Sequence, residues 1–436
     1  MTTFLFKGLL RDRSRSLFPI IVVFVGVMLT VFLYAWIQGV ESDLISSSAN
    51  FQGGHMMVTT RAYAREADQV PNDLAYAPVS DLLANLGSTC PNVIWTPRIK
   101  FGGLLDIPDE HGETRVQSPV AGLAGDMLGR NSPEPRLLNL KTALVQGRLP
   151  AKSGEILISD ELAHRMGIGP GSVATLFTSD VYGSMATMNF TVAGTVRFGV
   201  GAMDRGALLA DIGDIQQVLD MPDAAGEVLG FFRDYNYEAR QADRIAQAFN
   251  DRYGGGTEIQ NPKSKIQNAD DFAPVMVPLR DQAGLGQIFD LVGSFMGLIV
   301  AIFVLAMSLV LWNAGLMGSL RRYGELGLRL AIGEDRGHLY RSLLLEAVMI
   351  GIIGSVAGTA VGLGISYWLQ VVGLNISGFI RNASMMMPDV LRTHVTFACF
   401  YIGFIPGLFA TILGAAISGI GAYRRQTARL VKELEN

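Results

Sequence analysis

The sequence predicts a membrane protein with four transmembrane helices and an α+β ectodomain inserted between the first and the second. Three observations carry this reading. Four apolar runs, at about 17–37, 288–312, 343–372 and 395–422, each reach the ~20 residues that a helix needs to cross a hydrocarbon core. About 250 residues of ordinary polarity separate the first two runs, and only short connections separate the others. Charge divides along the same boundaries. The two ends and the 313–342 connection together carry 13 basic and 6 acidic residues, whereas 38–287 carries 20 basic and 30 acidic. The basic segments are expected on the cytoplasmic side, with both termini, and the acidic insert on the outer side.

The first run, 17–37, is uninterrupted and has no small-x-small exit, so it reads as an uncleaved signal anchor. Its helical pattern continues through Gln38–Ser48 as a stalk. In the insert, 38–287, His55–Thr60 reads as a strand and Val79–Leu86 as a helix, with Val79, Leu82, Leu83 and Leu86 at helical spacing. Ile94–Ile107 and Val116–Leu123 read as strands broken by Gly and Pro. Gly154–Ile158 is a strand, and Asp160–Met166 a short helix capped by Ser159 and ended by Gly167, Gly169, Pro170 and Gly171. Val173–Phe177 and Asn189–Val196 form a hairpin with Thr178–Thr187 as its loop. A strand at Ala207–Ala210, a helix at Ile212–Leu219 and an amphipathic helix at Ala239–Asn250 follow, ended by Gly254–Gly256. An insert of this length is expected to fold on its own core, as two subdomains. A second stalk is expected from Pro278 into the span 288–312. The third span, 343–372, carries Gly351, Gly354, Gly358 and Gly362 at the spacing of close helix contact. A short outer loop, 373–394, leads to the fourth span, 395–422, and the tail 423–436.

Several chemistries are excluded by what the residues lack. Cys90 and Cys399 are expected on opposite sides of the membrane and do not predict a disulfide. Gly147–Ser153 has the wrong glycine spacing for a phosphate-cradling loop, and an alanine precedes its lysine. The five histidines, His55, His111, His164, His338 and His394, are scattered without i,i+4 pairs or cysteine partners, so no metal site is expected. No Gly-x-Ser-x-Gly motif occurs, and the acidic insert has the charge of a soluble surface. No catalytic residue, no cofactor in this chain and no nucleic-acid partner are expected.

The connection at 313–342 is the most specific segment. It reads Arg321-Arg322-Tyr-Gly-Glu325-Leu-Gly327-Leu-Arg329-Leu-Ala-Ile-Gly333, and Glu346 follows one turn inside the third span. Glu325 and Arg329 share a helix face at i,i+4, and Gly327 and Gly333 permit close approach or a sharp exit. Physics alone leaves two readings open: an interfacial amphipathic helix with basic flanks, or a short docking helix. Glu346 is an intramembrane acid and a functional candidate on that ground.

Glu325–Gly333 resembles the signature loop of the MacB/LolCE/FtsX family of ABC-transporter permeases. Phe4–Arg15 resembles that family's basic amphipathic helix before the first span, placed here at 1–16, and Tyr423–Leu434 its closing segment, with Val431 where a proline is usual. In the insert, Gly147–Leu149, Glu155–Ala163, Gly167–Gly171, Phe190–Val196 and Phe198–Asp204 fall in the order seen in the lipoprotein-releasing permeases LolC and LolE.

The resemblance implies a membrane-proximal porter unit and a β-rich Sabre unit at roughly 100–200. It implies a separate ABC ATPase subunit that binds ATP and Mg, and a second permease subunit, the same chain or a homologue. The implied ATPase-coupling residues are Arg322, Glu325, Gly327, Arg329, Gly333 and Glu346. The implied setting is the bacterial inner membrane with a periplasmic ectodomain, and the implied action is extraction of lipoproteins by mechanotransmission. Acyl chains would then enter between the first two spans, past Phe32, Trp36, Phe289, Val292, Phe295 and Met296. In LolC the hairpin before Phe-Thr-Val carries a long hook for a periplasmic carrier; here that stretch is short, with Thr178, Asp180, Tyr182 and Met185 as its partner-facing candidates. The same family implies two other activities: MacB-like efflux with an adaptor and an outer-membrane duct, and FtsX-like control of a cell-wall hydrolase.

Overall fold

The computed structural model describes residues 13–109, 113–253, 271–320, 328–330, 332–375 and 390–424. The chain divides into two compact units. One holds Met1–Ser42, Leu291–Leu374 and Leu391–Asn436; the other holds Asp43–Asp290 with Asn375–Val390.

Helix α1 (Arg13–Ser48) ends in a π-helical turn, Ala49–Gly53. Then come β1 (Met56–Thr60), α2 (Val79–Thr89), β2 (Val93–Pro108), β3 (Thr114–Gly125), β4 (Leu144–Gly147) and β5 (Glu155–Ser159). They are followed by α3 (Asp160–Met166), β6 (Val173–Ser179), β7 (Met185–Val196), β8 (Ala207–Asp211), β9 (Glu227–Phe232), α4 (Ala239–Tyr253) and β10 (Pro274–Pro278). Three long helices close the chain: α5 (Leu285–Leu320), α6 (Arg336–Val372) and α7 (Phe404–Arg424). Four helical segments are long and apolar enough to cross a membrane: Leu17–Gly53, Leu285–Asn313, Arg336–Val372 and Phe397–Ile417.

In the first unit α1 buries Val23, Val27, Val31 and Ala35, a stripe recurring every fourth residue. The stripe meets the glycines of α6. A Cβ on Gly354 would lie 2.7 Å from the Val23 Cβ, on Gly358 2.6 Å from the Phe24 carbonyl oxygen, and on Gly362 3.1 Å from the Met28 carbonyl oxygen. Glycine thus lets the two backbones close on each other over three turns, the device by which apolar helices gain contact where water gives no drive. On α7, Gly407 meets Val27, and Gly414 meets the backbone of Trp312. Helix α5 differs: only 6% of its apolar window is buried, and Leu291, Phe295, Leu298, Ile302, Leu305 and Leu309 form an exposed stripe at alternating three- and four-residue steps.

In the second unit all ten strands belong to one sheet. Strand β2 organises it. Residues Val93–Arg98 pair with β9, extending an open sheet in the order β10-β1-β9-β2. From Arg98 onward β2 pairs with β3, and Leu104–Asp106 also pair with β6. Pairings β3–β8, β8–β5, β5–β7 and β7–β6 then bring the sheet back to β2, closing a ring of six strands. Ring residues Ile99, Leu105, Ile156, Ile158, Leu176, Phe190 and Val192 share one buried core with α3. A second core, with Met56, Val58, Leu82, Leu86, Val228, Ala246 and Phe249, lies between the open sheet and helices α2 and α4.

Local chemistry explains the ends of these elements. Ser159 caps α3 by accepting from the Leu162 N–H at 3.3 Å, as its position predicts. Four sequence expectations are corrected. Strand β2 is unbroken across Gly102 and Gly103, because a Cβ on Gly103 would lie 2.6 Å from the Phe177 carbonyl oxygen: the glycine admits β6 and does not end the strand. The hairpin loop is only 180–184, since pairing runs on to Ser179↔Met185. The second stalk does not begin at Pro278; that residue ends β10, which pairs with β1, and α5 starts at Leu285 after Gly284 at φ +74°. The fourth helix begins at Phe404, after a 3-10 turn at Phe397–Phe400, and Pro406 sits in its first turn, where no N–H is needed.

Candidate functional site

The connection between the second and third spans is shorter than its sequence pattern implies, because helix takes up both of its ends. Helix α5 runs to Leu320 and α6 begins at Arg336. Arg322, Glu325 and Gly327 lie outside the described residues. Leu328–Leu330 are helical and Arg329 is exposed. The turn is closed by the Ile332 N–H to Leu328 O at 3.1 Å and the Glu334 N–H to Arg329 O at 3.0 Å. Gly333 makes that closure at φ +100°, a conformation that a side chain would strain. Asp335 then caps α6, accepting from the Gly337 and His338 N–H groups at 3.0 and 3.1 Å. The result is a capped turn with two large apolar side chains on its surface, Leu328 at 59% and Ile332 at 79% exposure. Glu346 is half-buried in the third turn of α6 and engaged by a neighbouring group.

The six candidate lining residues are disposed unequally. Phe32 and Trp36 are half-buried on α1 with ring centroids 6.2 Å apart. On α5 Val292 and Met296 are half-buried, Phe295 is exposed and Phe289 is buried. The hairpin candidates form one rigid tip. The Asp180 carboxylate accepts from the Tyr182 and Ser184 N–H groups at 2.9 and 2.8 Å, Gly183 takes φ +80°, and the Thr178 hydroxyl donates to Gly102 O at 2.8 Å. Tyr182 and Met185 stand outward, 77% and 79% exposed.

Sequence reasoning missed three buried polar groups in the second unit. Arg98 and Glu134 are both fully buried and paired in parallel, Nε to Oε1 at 2.8 Å and Nη2 to Oε2 at 2.9 Å, with the Thr96 hydroxyl also donating to Oε1. Lys100 pairs with the buried Glu227 at 2.7 Å. His55 is enclosed by Phe231, Phe232 and Tyr237, and its Nδ1 accepts from the Phe232 N–H at 3.1 Å. Burial lowers its pKa to about 4, so the ring is neutral at ordinary pH. The available signal was Arg98 and Lys100 at i and i+2 of an apolar strand, which puts both cations on one face.

Among the described residues no group of three or more His, Cys, Asp or Glu is placed to hold a metal ion. What the geometry offers is mechanical: a capped turn between two long apolar helices, a bundle sealed by glycines, and a folded domain joined to two of its helices.

Residues 297–427 match the FtsX-like permease C-terminal family. An uncharacterised ABC transporter permease, YknZ of Bacillus subtilis, is 26% identical over 200 residues, covering 44% of this chain and 45% of its own. A macrolide export ATP-binding/permease protein MacB of Paracoccus denitrificans is 40% identical over 77 residues, covering 16% of this chain and 11% of its own. A pyoverdine export ATP-binding/permease protein PvdT of Pseudomonas savastanoi is 26% identical over 148 residues, 34% and 21% of the respective chains. The chain spans less than half the length of each of these relatives. The solved periplasmic region of MacB from Actinobacillus actinomycetemcomitans overlaps 55% of this chain and 94% of its own, at 12% identity and a TM-score of 0.35. Residues 297–427 thus resemble an FtsX-like permease C-terminal domain, and the curated relatives that match the chain are named as ABC-transporter permeases.

Proposed function

We propose that this chain is the membrane-spanning subunit of an ABC transporter that works by mechanotransmission. A separate ATPase subunit binds ATP and Mg. Its closure displaces the connection between α5 and α6, and the displacement passes along α5 to the extramembrane domain, which acts on substrate at the outer face. The observation that carries this reading is the capped turn: Leu328 and Ile332 are exposed on a turn closed by its own backbone hydrogen bonds and capped by Asp335, the form of a docking surface for another protein. On this reading the protein lies in the bacterial inner membrane with both termini in the cytoplasm, and two permease subunits assemble with two ATPases. The exposed stripe of α5 then faces lipid or the second permease.

The favoured substrate is a lipoprotein, released from the membrane. Withdrawing acyl chains costs ~0.8 kcal/mol per CH₂, so release needs coupled ATP energy. Efflux with an adaptor and an outer-membrane duct is the second reading. It is supported by relatives whose names are those of macrolide and pyoverdine exporters, and by a 180–184 tip with no long hook.

The test is purification of the full chain with its ATPase subunit. Leu328→Asp with Ile332→Asp should abolish co-purification of the ATPase while the permease still folds, and full retention would sink the docking role. Glu325→Ala should leave the fold intact and uncouple ATP hydrolysis from transport. Mass spectrometry of the wild-type complex separates the substrates: triacylated lipoproteins that leave on ATP addition support release, and a bound adaptor supports efflux.

A further inference from the structure

The carboxyl end of α1 is fastened by side chains. A helix leaves its last carbonyls without intrahelical partners. Here the π-helical turn Ala49–Gly53 ends α1, Gly54 takes φ +65°, and the Gly54 N–H returns to Ala49 O at 2.8 Å. Three carbonyls of that turn accept from side chains elsewhere in the fold. Arg98 Nη1 donates to Asn50 O at 2.5 Å, Lys100 Nζ to Gln52 O at 2.8 Å, and Gln282 Nε2 to Gly53 O at 3.1 Å. Each cation is balanced by its own buried carboxylate, Glu134 for Arg98 and Glu227 for Lys100. The fit at Gly53 is close: a Cβ there would lie 1.5 Å from Gln282 Oε1.

The position of these groups in the sheet matters as much as their strength. Arg98 is the residue at which β2 changes partners, opposite Glu227 of β9 on one side and Gly125 of β3 on the other. The end of α1 is therefore tied to the strand residue shared by the open sheet and the six-stranded ring. Gln282 lies three residues before α5 and also donates to Val277 O at 3.0 Å on β10. The start of α5 is thus tied to the same turn. Charge-assisted hydrogen bonds in dry surroundings resist displacement more than loop contacts do.

Resting on the mechanical reading above, we propose that the turn Ala49–Gly53, held by Arg98, Lys100 and Gln282, is the joint through which displacement of α1 and α5 enters the extramembrane domain. The three side chains are positioning residues: they fix where force is delivered, at the boundary between open sheet and ring. A joint held this way passes a small displacement into both parts of the sheet together.

The test uses the full chain in nanodiscs with its ATPase subunit, with and without a non-hydrolysable ATP analogue, followed by hydrogen exchange. The variants are Gln282→Ala, and Lys100→Met combined with Glu227→Gln so that no buried charge is left alone. Arg65→Met with Asp271→Asn, an exposed pair away from the joint, is the control. Exchange at 44–54, including the Gly54 amide, is expected to rise about tenfold or more in both joint variants and to stay unchanged in the control. The nucleotide-dependent change in exchange of β6 and β7 is expected to disappear in the joint variants, with ATP hydrolysis kept within about twofold. Unchanged exchange at 44–54 in the joint variants would overturn the joint. Faster exchange there with a wild-type nucleotide response would overturn its role in transmission. A wild-type complex with no nucleotide response in β6 and β7 would instead overturn the mechanical reading itself, and that failure is visible before any variant is made.

Discussion

Removing one partner of the Arg98–Glu134 pair should cost far more than removing both. In Glu134→Ala the Arg98 guanidinium keeps only the Asn50 carbonyl and the Phe231 ring, 5.9 Å from its carbon to the centroid, and the Thr96 hydroxyl loses its acceptor. Breaking a fully buried pair from one side costs about 3–5 kcal/mol, because an uncompensated charge stays in a dry site. For a domain of this size each kcal/mol moves Tm by about 2–4 °C, so a fall of roughly 6–20 °C is expected. In Arg98→Met with Glu134→Leu both charges leave together. The desolvation cost vanishes, and the remaining loss is that of the two orphaned groups, Asn50 O and the Thr96 hydroxyl, at about 1 kcal/mol each. The double variant should therefore recover about 1–3 kcal/mol of that loss. Calorimetry of the full chain in detergent, following the transition of the extramembrane domain, reads both numbers. A shift under about 2 °C for Glu134→Ala, or a double variant as unstable as the single one, would refute the reasoning.

Two further predictions rest on separate features. His55 is neutral in the fold with its pKa lowered to about 4, while the unfolded chain protonates near 6.5. Between those values the unfolded state binds the extra proton, so stability is fully present above pH 6.5 and falls by about 3 kcal/mol as pH drops to 4. Unfolding measured across that range should show the slope, and His55→Gln should flatten it while lowering stability at pH 8. In the membrane bundle, Gly358→Val would force a Cβ to within 2.6 Å of the Phe24 carbonyl oxygen, whereas a Cβ on Gly364 meets nothing within 4 Å. Heat-induced aggregation of the full chain in detergent should begin markedly earlier for Gly358→Val and not for Gly364→Ala; equal behaviour would refute the close contact of α1 and α6.

The spans, the continuation of α1 to Ser48 and the hairpin of β6 and β7 were legible because each follows a period the sequence states openly. Strand β9 was not. Glu227–Phe232 is buried at every position, so it shows a short apolar run and no alternation, and such a run is silent between strand and helix. The partners of Arg98 were illegible for another reason. Glu134 lies 36 residues away and Asn50 lies 48, and a single arginine in a strand reads as a surface charge until the fold closes around it. The limits of the connection between the second and third spans were not legible: helix reaches Leu320 on one side and Arg336 on the other, because Asp335 supplies a cap that brings the start of α6 seven residues forward of the apolar run.

The two long helices that lead into the extramembrane domain are built for different tasks. Helix α1 is packed along its span by Val23, Val27, Val31 and Ala35 against a glycine track, and such interfaces repack only in discrete steps. Helix α5 has almost no buried surface in its apolar window, and among the described residues Met307, Leu311 and the Trp312 backbone meet the bundle. Tilting α5 therefore breaks few contacts, whereas moving α1 means separating backbones already in contact. On the proposed mechanism the ATPase acts on the segment that directly follows α5, the helix with the lower resistance. At its other end α5 is braced by Arg280 paired with Asp290, and by Gln282 on the turn that ends α1. Motion of α5 would then reach the sheet at the turn that ends α1, to which Gln282 ties its start.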